Sequence, residues 1–156
     1  MSVTTIPPVL QSVVVPLAPE QAFDLFTARF GTWWPASHSV SPKGMAECVL
    51  ESGEGGRWYE LDADGGRCDW GSVLAWEPPA RLVLAWGLQA DYSFDADLEH
   101  SSEVEVTFVP VDGGTRVDLE HRHFARHGDG AAGVHGSVSS EGGWPLLLDL
   151  FRAQAG

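Results

Sequence analysis

The stretch that decides the fold is Glu141 to Ala155, EGGWPLLLDLFRAQA. Gly142 and Gly143 break whatever precedes it, and Pro145 suits the first turn of a helix, where its missing N–H has no partner to lose. Trp144, Leu147, Leu148 and Phe151 follow at i, i+3, i+4 and i+7, so they share one face. Leu146 and Leu150 widen that face until only Asp149, Arg152 and Gln154 clearly face water. A helix this apolar needs cover on most sides. Nearly everything upstream reads as β-strand, so the predicted cover is a curved sheet wrapped around the helix. What lies between the two layers decides function.

Bulk properties narrow the classes. A chain of 156 residues is expected to form one domain, 1–156, with residues 1–8 as an extended leader. Its composition is 44% hydrophobic and includes seven tryptophans, a heavy aromatic load. Nine Lys and Arg against 22 Asp and Glu leave a net charge of −13. Such a surface repels phosphate backbones and anionic lipid, so nucleic-acid and membrane partners are disfavoured. No apolar run nears the ~20 residues of a bilayer span. The segment MSVTTIPPVLQ lacks a basic region followed by an apolar core, so no signal peptide is expected. The expected location is cytoplasmic, with Cys48 and Cys68 reduced, buried and inert.

Working outward from the terminal helix, the strands declare themselves by alternation. Val9 to Pro16 reads as a first strand, and Pro19 opens a helix with Ala22, Phe23, Phe26 and Phe30 at helical spacing. Gly31 ends it, Trp33 to Pro35 forms an aromatic plug, and Ala36 to Gly44 is a polar loop; two short helices are expected here. Strands follow over 46–52, 57–61, 68–76, 81–86, 103–109 and 115–124, joined by short turns, with Pro78 and Pro79 marking a corner. Hairpins in succession imply an antiparallel meander. Gly87 to Ser102 is a long acidic connection, predicted to be mobile and to border a cavity. Gly128 to Gly143 reads as a broken helical turn or loop.

The last two strands can be read face by face. Val104, Val106 and Phe108 share one side; Val117 and Leu119 lie with His121 and His123, while Arg116, Asp118, Glu120 and Arg122 face water. Two histidines are thus predicted to point toward the terminal helix, with His127 and His135 exposed beyond them. The pair reads three ways. They are structural or pocket-lining; or acid–base groups, since imidazole titrates near neutrality; or metal ligands. Two histidines on one strand fall short of a metal set, and although Glu47, Glu60 or His100 could add a donor, no spacing demands it. No metal or cofactor is expected. Trp58, Trp70, Trp76 and Trp86 lie on strands, where they serve a core, or, in a sheet that leaves a gap, a small-molecule pocket.

In order, PEQAFDLFT, GTWWP, GGRWYE, DWGSVLAWEPPARLVLAW, SEVEVTFVP, GGTRVDLEHRHF and GGWPLLLDLF resemble bacterial proteins related to the C-terminal domain of the activator of the ninety-kilodalton heat-shock protein's ATPase. These belong to the START-like (SRPBCC) superfamily, and the resemblance runs from about Val9 to Phe151. It implies an α+β helix-grip fold: a curved antiparallel sheet, two short helices after the first strand, and a C-terminal helix. Members of the wider superfamily hold apolar molecules in the cavity, and some are cyclases or dehydratases.

The leading expectation is a binding protein for a small apolar or aromatic molecule. Its candidate cavity residues are His121, His123, Trp58, Trp70, Trp86, Phe108, Leu119, Trp144 and Leu148. An enzyme (cyclase, dehydratase or hydrolase-like) using a cavity histidine is the alternative, with no catalytic residue assigned. A third class is a protein-interaction module, stress-related and co-chaperone-like, with a homodimer as its candidate assembly.

Overall fold

In the computed structural model, which describes residues 6–41 and 43–156, the alternating segments pair into one sheet. Residues 1–5 of the expected leader lie outside that range. The strands are β1 (Val9–Val15), β2 (Glu47–Leu50), β3 (Arg57–Leu61), β4 (Arg67–Glu77), β5 (Arg81–Trp86), β6 (Ser102–Val111) and β7 (Gly114–Arg122). They form a seven-stranded sheet in the order β1-β7-β6-β5-β4-β3-β2, every neighbouring pair antiparallel. The meander runs from β2 to β7, and β1 returns to lie beside the last strand. The corner between β4 and β5 falls at Pro78–Pro79, whose peptide bond is cis.

Period-two patterning puts one face of the sheet inside. Val104, Val106 and Phe108 of β6 and Val117, Leu119 and His121 of β7 are buried. The opposite face carries an ion-pair ladder. There Arg122 reaches Glu105 at 2.9 Å and Glu103 at 3.3 Å, and Arg126 continues it to Glu103 at 2.8 Å. At two places the register slips, between Trp58 and Tyr59 and between Val73 and Ala75, and irregularities of this kind bend and coil a sheet. Between them, Gly71 lets the strands close up: a Cβ there would collide with the Ala85 carbonyl and the Trp58 indole nitrogen.

Helices pack into the concavity. Helix α1 (Pro19–Phe26) starts at a proline, and Gln21 reaches back to accept from the Ala18 N–H at 3.2 Å. The second short helical region is built of 3₁₀ turns at Phe30–Thr32 and Ala36–His38. The predicted terminal helix is α3 (Trp144–Ala155), which buries Trp144, Leu147, Leu148 and Phe151 and exposes Asp149, Arg152 and Gln154. Phe151 meets Phe26 and Trp33 edge-on, at centroid distances of 5.5 and 5.3 Å. This is the sheet-and-helix grip read from the sequence.

The glycine-rich segment before α3 departs from that reading. Ala131–Ser139 is a regular helix, α2, because Ala131, Val134 and Val138 fall on one face and bury together. Its glycines weaken intrinsic propensity; the tertiary packing of that face overrides it. Gly143 separates α2 from α3, where any side chain would strike the Val138 carbonyl.

Candidate functional site

A cleft of about 650 Å³ opens between the concave ends of β4 and β5, the loop before β2, the loop after β5, and the facing ends of α2 and α3. Trp34, Trp70, Trp86 and Trp144 line it, with Leu88, Tyr92 and Leu147; His38, Asp91 and a few serines supply polarity. The rings hold one another in place. Trp34 lies 5.2 Å from Trp70 and 6.0 Å from Trp144, and Trp86 lies 5.9 Å from Trp144.

Buried acceptors fix two of these indoles. Glu60, fully buried on β3, accepts from the Trp70 Nε1–H at 3.1 Å, from the Val40 N–H at 2.7 Å and from the Ser39 hydroxyl at 2.5 Å. That carboxylate therefore pins the polar loop carrying His38 to the sheet. His38 in turn uses Nε2 on the Gly142 carbonyl at 2.6 Å, tying the loop to the start of α3. Cys48 and Cys68 flank Glu60 across the strands. Burial, then the charges of Glu60 and Glu47, push the Cys48 thiol up to about 12, far from a reactive thiolate. The buried Nε1–H of Trp34, unlike those of Trp70 and Trp144, meets no acceptor among the described residues.

The second anchored indole is Trp144, whose Nε1–H donates to Nδ1 of His121 at 3.0 Å. His121 is fully buried, stacked on Phe124 at 4.5 Å and tilted against Trp86 at 5.2 Å. Its Nε2 lies 2.7 Å from the Ser102 hydroxyl, which lies 2.8 Å from Nε2 of His127. Nδ1 of His127 meets Oε1 of Gln89 at 3.0 Å, and Nε2 of Gln89 donates to the carbonyls of Gly87 and His100. Burial, reinforced by His127 and His135, holds His121 well below the usual imidazole range, and burial lowers His127 as well.

The placement of the sequence candidates is uneven. Trp70, Trp86 and Trp144 line the cleft. Trp58, Phe108, Leu119 and Leu148 belong to the packed core, and His121 sits behind Trp144 rather than on the cleft surface. His123 does not point inward: β7 ends at Arg122, and His123 turns left-handed (φ 65°, ψ 37°) and is exposed. Phe124 takes the inward place, and His127, predicted to be exposed, folds back into the interior. Trp34, His38, Asp91, Tyr92 and Ser137 line the cleft without being among the candidates; Trp34 belongs to the aromatic plug, and the others fall in segments whose sequence carries no strand or face pattern. The long connection does border the cleft, as expected. It is closely knit, though: Gln89 and Ser93 pair through their backbones, Asp97 caps the turn at Leu98–His100, and the Tyr92 hydroxyl meets Ser137 of α2 at 3.0 Å.

A curled antiparallel sheet clasping a C-terminal helix, with an aromatic cleft at one end, defines a START-like helix-grip protein. The chain belongs to the Activator of Hsp90 ATPase homolog 1-like protein family, whose family model matches residues 16–156. Among solved structures it is similar to an anthrahydroquino-γ-pyrone synthase complexed with SUM, at 40% identity and a TM-score of 0.68, covering 96% of this chain and 97% of that one. It is also similar to the self-sacrificing resistance protein CalC from Micromonospora echinospora, at 33% identity and a TM-score of 0.67, covering 96% and 94%. The Aha1 dimer from Colwellia psychrerythraea, 14% identical with a TM-score of 0.63 and 96% of each chain covered, shares the fold. No curated protein matches the chain. Among the described residues no helix is long and apolar enough to cross a membrane, and no group of His, Cys, Asp and Glu could hold a metal ion.

Proposed function

We propose that this protein holds a flat, polycyclic aromatic molecule, uncharged or cationic, in the cleft between β4–β5 and the α2–α3 junction. The observation that carries this is the lining itself: four tryptophans and a tyrosine around about 650 Å³, with few polar groups. Flat rings stack on such walls with little ordering cost, because anchored indoles have already lost their freedom. The likeness to a synthase of an anthrahydroquino-γ-pyrone supports the same chemical class.

Charge restricts the class further. No Lys or Arg lines the cleft among the described residues, and its one carboxylate is Asp91. The Ser93 hydroxyl and N–H both donate to Asp91 and keep it below the usual carboxylate range, so it is ionised at neutral pH. An anionic ligand would meet that charge and the chain's net −13 with no cation to offset them.

The test is quenching of tryptophan fluorescence, backed by calorimetry, with an uncharged dihydroxyanthraquinone and its sulfonated analogue. Saturable binding of the uncharged compound, weaker by tenfold or more for the sulfonate, is expected on the order of the ~1.4 kcal/mol that one unfavourable charge contact brings. Equal affinity for both, or no saturation, overturns the proposal.

One observation favours a second reading, ring closure catalysed in the same cleft. His38 is the imidazole on its wall, and with Nε2 engaged by the Gly142 carbonyl its Nδ1, 3.3 Å from the Ser37 hydroxyl, is the nitrogen left to move a proton. Under this reading His38→Gln abolishes turnover of a linear aromatic precursor and leaves the quenching titration intact.

A further inference from the structure

Trp144 can only donate through its indole nitrogen. That fact sets the direction of every bond in the buried chain behind the cleft. His121 must accept at Nδ1, so its proton sits on Nε2 and is given to the Ser102 oxygen. The Ser102 hydroxyl then has its own hydrogen to give, and the acceptor in reach is Nε2 of His127, which also takes the Ser102 backbone N–H at 3.3 Å. His127 therefore carries its proton on Nδ1 and gives it to Oε1 of Gln89. Gln89, with its oxygen so used, donates its amide hydrogens to the Gly87 and His100 carbonyls. No link can be reversed without facing two donors at each other, and neither imidazole can take a second proton without doing the same.

The two ends of the chain matter because both belong to the cleft. Trp144 is a wall of it, and Gln89 anchors the loop whose Leu88, Asp91 and Tyr92 form its lip. We propose that His121, Ser102, His127 and Gln89 act together as a positioning device, a one-way hydrogen-bond chain that sets the Trp144 wall against the Leu88–Tyr92 lip and thereby fixes the width of the cleft. The device works only with both imidazoles neutral and in opposite tautomers, Nε2–H on His121 and Nδ1–H on His127. Burial keeps them so, and the charges that bear on His121 are those of His127 and His135, of the same sign. For ligand binding the assignment rests on the proposed function; for the tautomers it does not.

Nitrogen-15 NMR of the imidazoles in the intact protein at neutral pH is the primary test. Opposite tautomers at His121 and His127 support the chain. The same tautomer at both, or a protonated ring at either, overturns it, whatever the cleft binds. Gln89→Glu supplies the second arm: a carboxylate facing Nδ1 of His127 favours the imidazolium, which sets its new Nε2–H against the Ser102 donors. The His127 resonances should then titrate at a higher pH than in the unaltered protein, and the Trp144 indole N–H resonance, four side chains away along the chain, should shift. An unmoved Trp144 signal with a titrating His127 overturns the coupling. With the uncharged dihydroxyanthraquinone as probe, Ser102→Ala should weaken binding about fivefold to tenfold, the loss expected when one buried hydrogen bond no longer positions the wall. Unaltered affinity in a variant whose Trp144 signal has moved overturns the link to the cleft and leaves the tautomer assignment standing.

Discussion

Phe151→Ala is the perturbation that most directly questions the grip of the sheet on α3. The side chain has no exposed surface, and its ring is met edge-on by Phe26 at 5.5 Å and Trp33 at 5.3 Å. Truncating a buried phenylalanine to alanine costs roughly 3–5 kcal/mol, from lost transfer energy and the cavity left behind. Here the surroundings argue for the upper end. Phe26 is itself packed against Trp33 and Phe108, and the Trp33 indole is tied to the Leu25 carbonyl at 3.0 Å, so neither ring is free to swing into the space. A loss of about 4–5 kcal/mol would consume much of the ~5–15 kcal/mol that holds a domain folded. At ~2–4 °C per kcal/mol for a chain of this length, the midpoint of thermal unfolding should fall by about 8–20 °C. Near-UV circular dichroism follows the transition, and urea titration gives the free energy. Arg152→Ala, one residue on and exposed, serves as the comparison and should stay within about 0.5 kcal/mol of the unaltered protein. Phe151 is not part of the cleft lining, so binding of the anthraquinone probe should persist below the lowered transition. A Phe151→Ala protein melting within a degree or two of the parent would refute the placement of α3.

Two further outcomes follow from the buried polar groups. The lowered imidazoles of His121 and His127 bind fewer protons folded than unfolded, so their contribution is complete above about pH 6.5 and is lost as pH falls toward their folded values. Exposed His100, raised by Asp95, acts in the opposite sense and only weakly; the net expectation is a urea midpoint that drops between about pH 6.5 and 5, and a flat profile there would refute the burial argument. Glu60→Gln keeps the volume but replaces an acceptor oxygen with an amide, which the Ser39 hydroxyl can meet only by turning around. A cost of about 1–2 kcal/mol and faster hydrogen exchange at the Val40 N–H are expected, and unchanged exchange would show that Glu60 does not hold the loop.

Local periodicity alone determined much of this molecule. The face shared by Trp144, Leu147, Leu148 and Phe151, the alternation along β6 and β7, and the proline corner each depend on residues a few positions apart, and the structure places them as their spacing requires. Where β7 stops is a different kind of fact. Its last pairs are His121 with Val9, the first residue of β1, and Arg122 with Glu103; β1 has no residue left to offer beyond that point, and His123 turns left-handed instead of pairing with Ser102 of β6. The chain therefore leaves the sheet one residue before the histidine that alternation would have sent inward. His127, too far along for any strand register to foresee, returns to the interior on the 3₁₀ turn that follows the left-handed His123. The same holds for the cleft, whose walls come from Trp34, Trp70, Trp86 and Trp144 on separate elements. A strand's pattern records which face is buried; which buried ring meets which, and where the sheet leaves a gap, is decided by how the elements end and curl against one another.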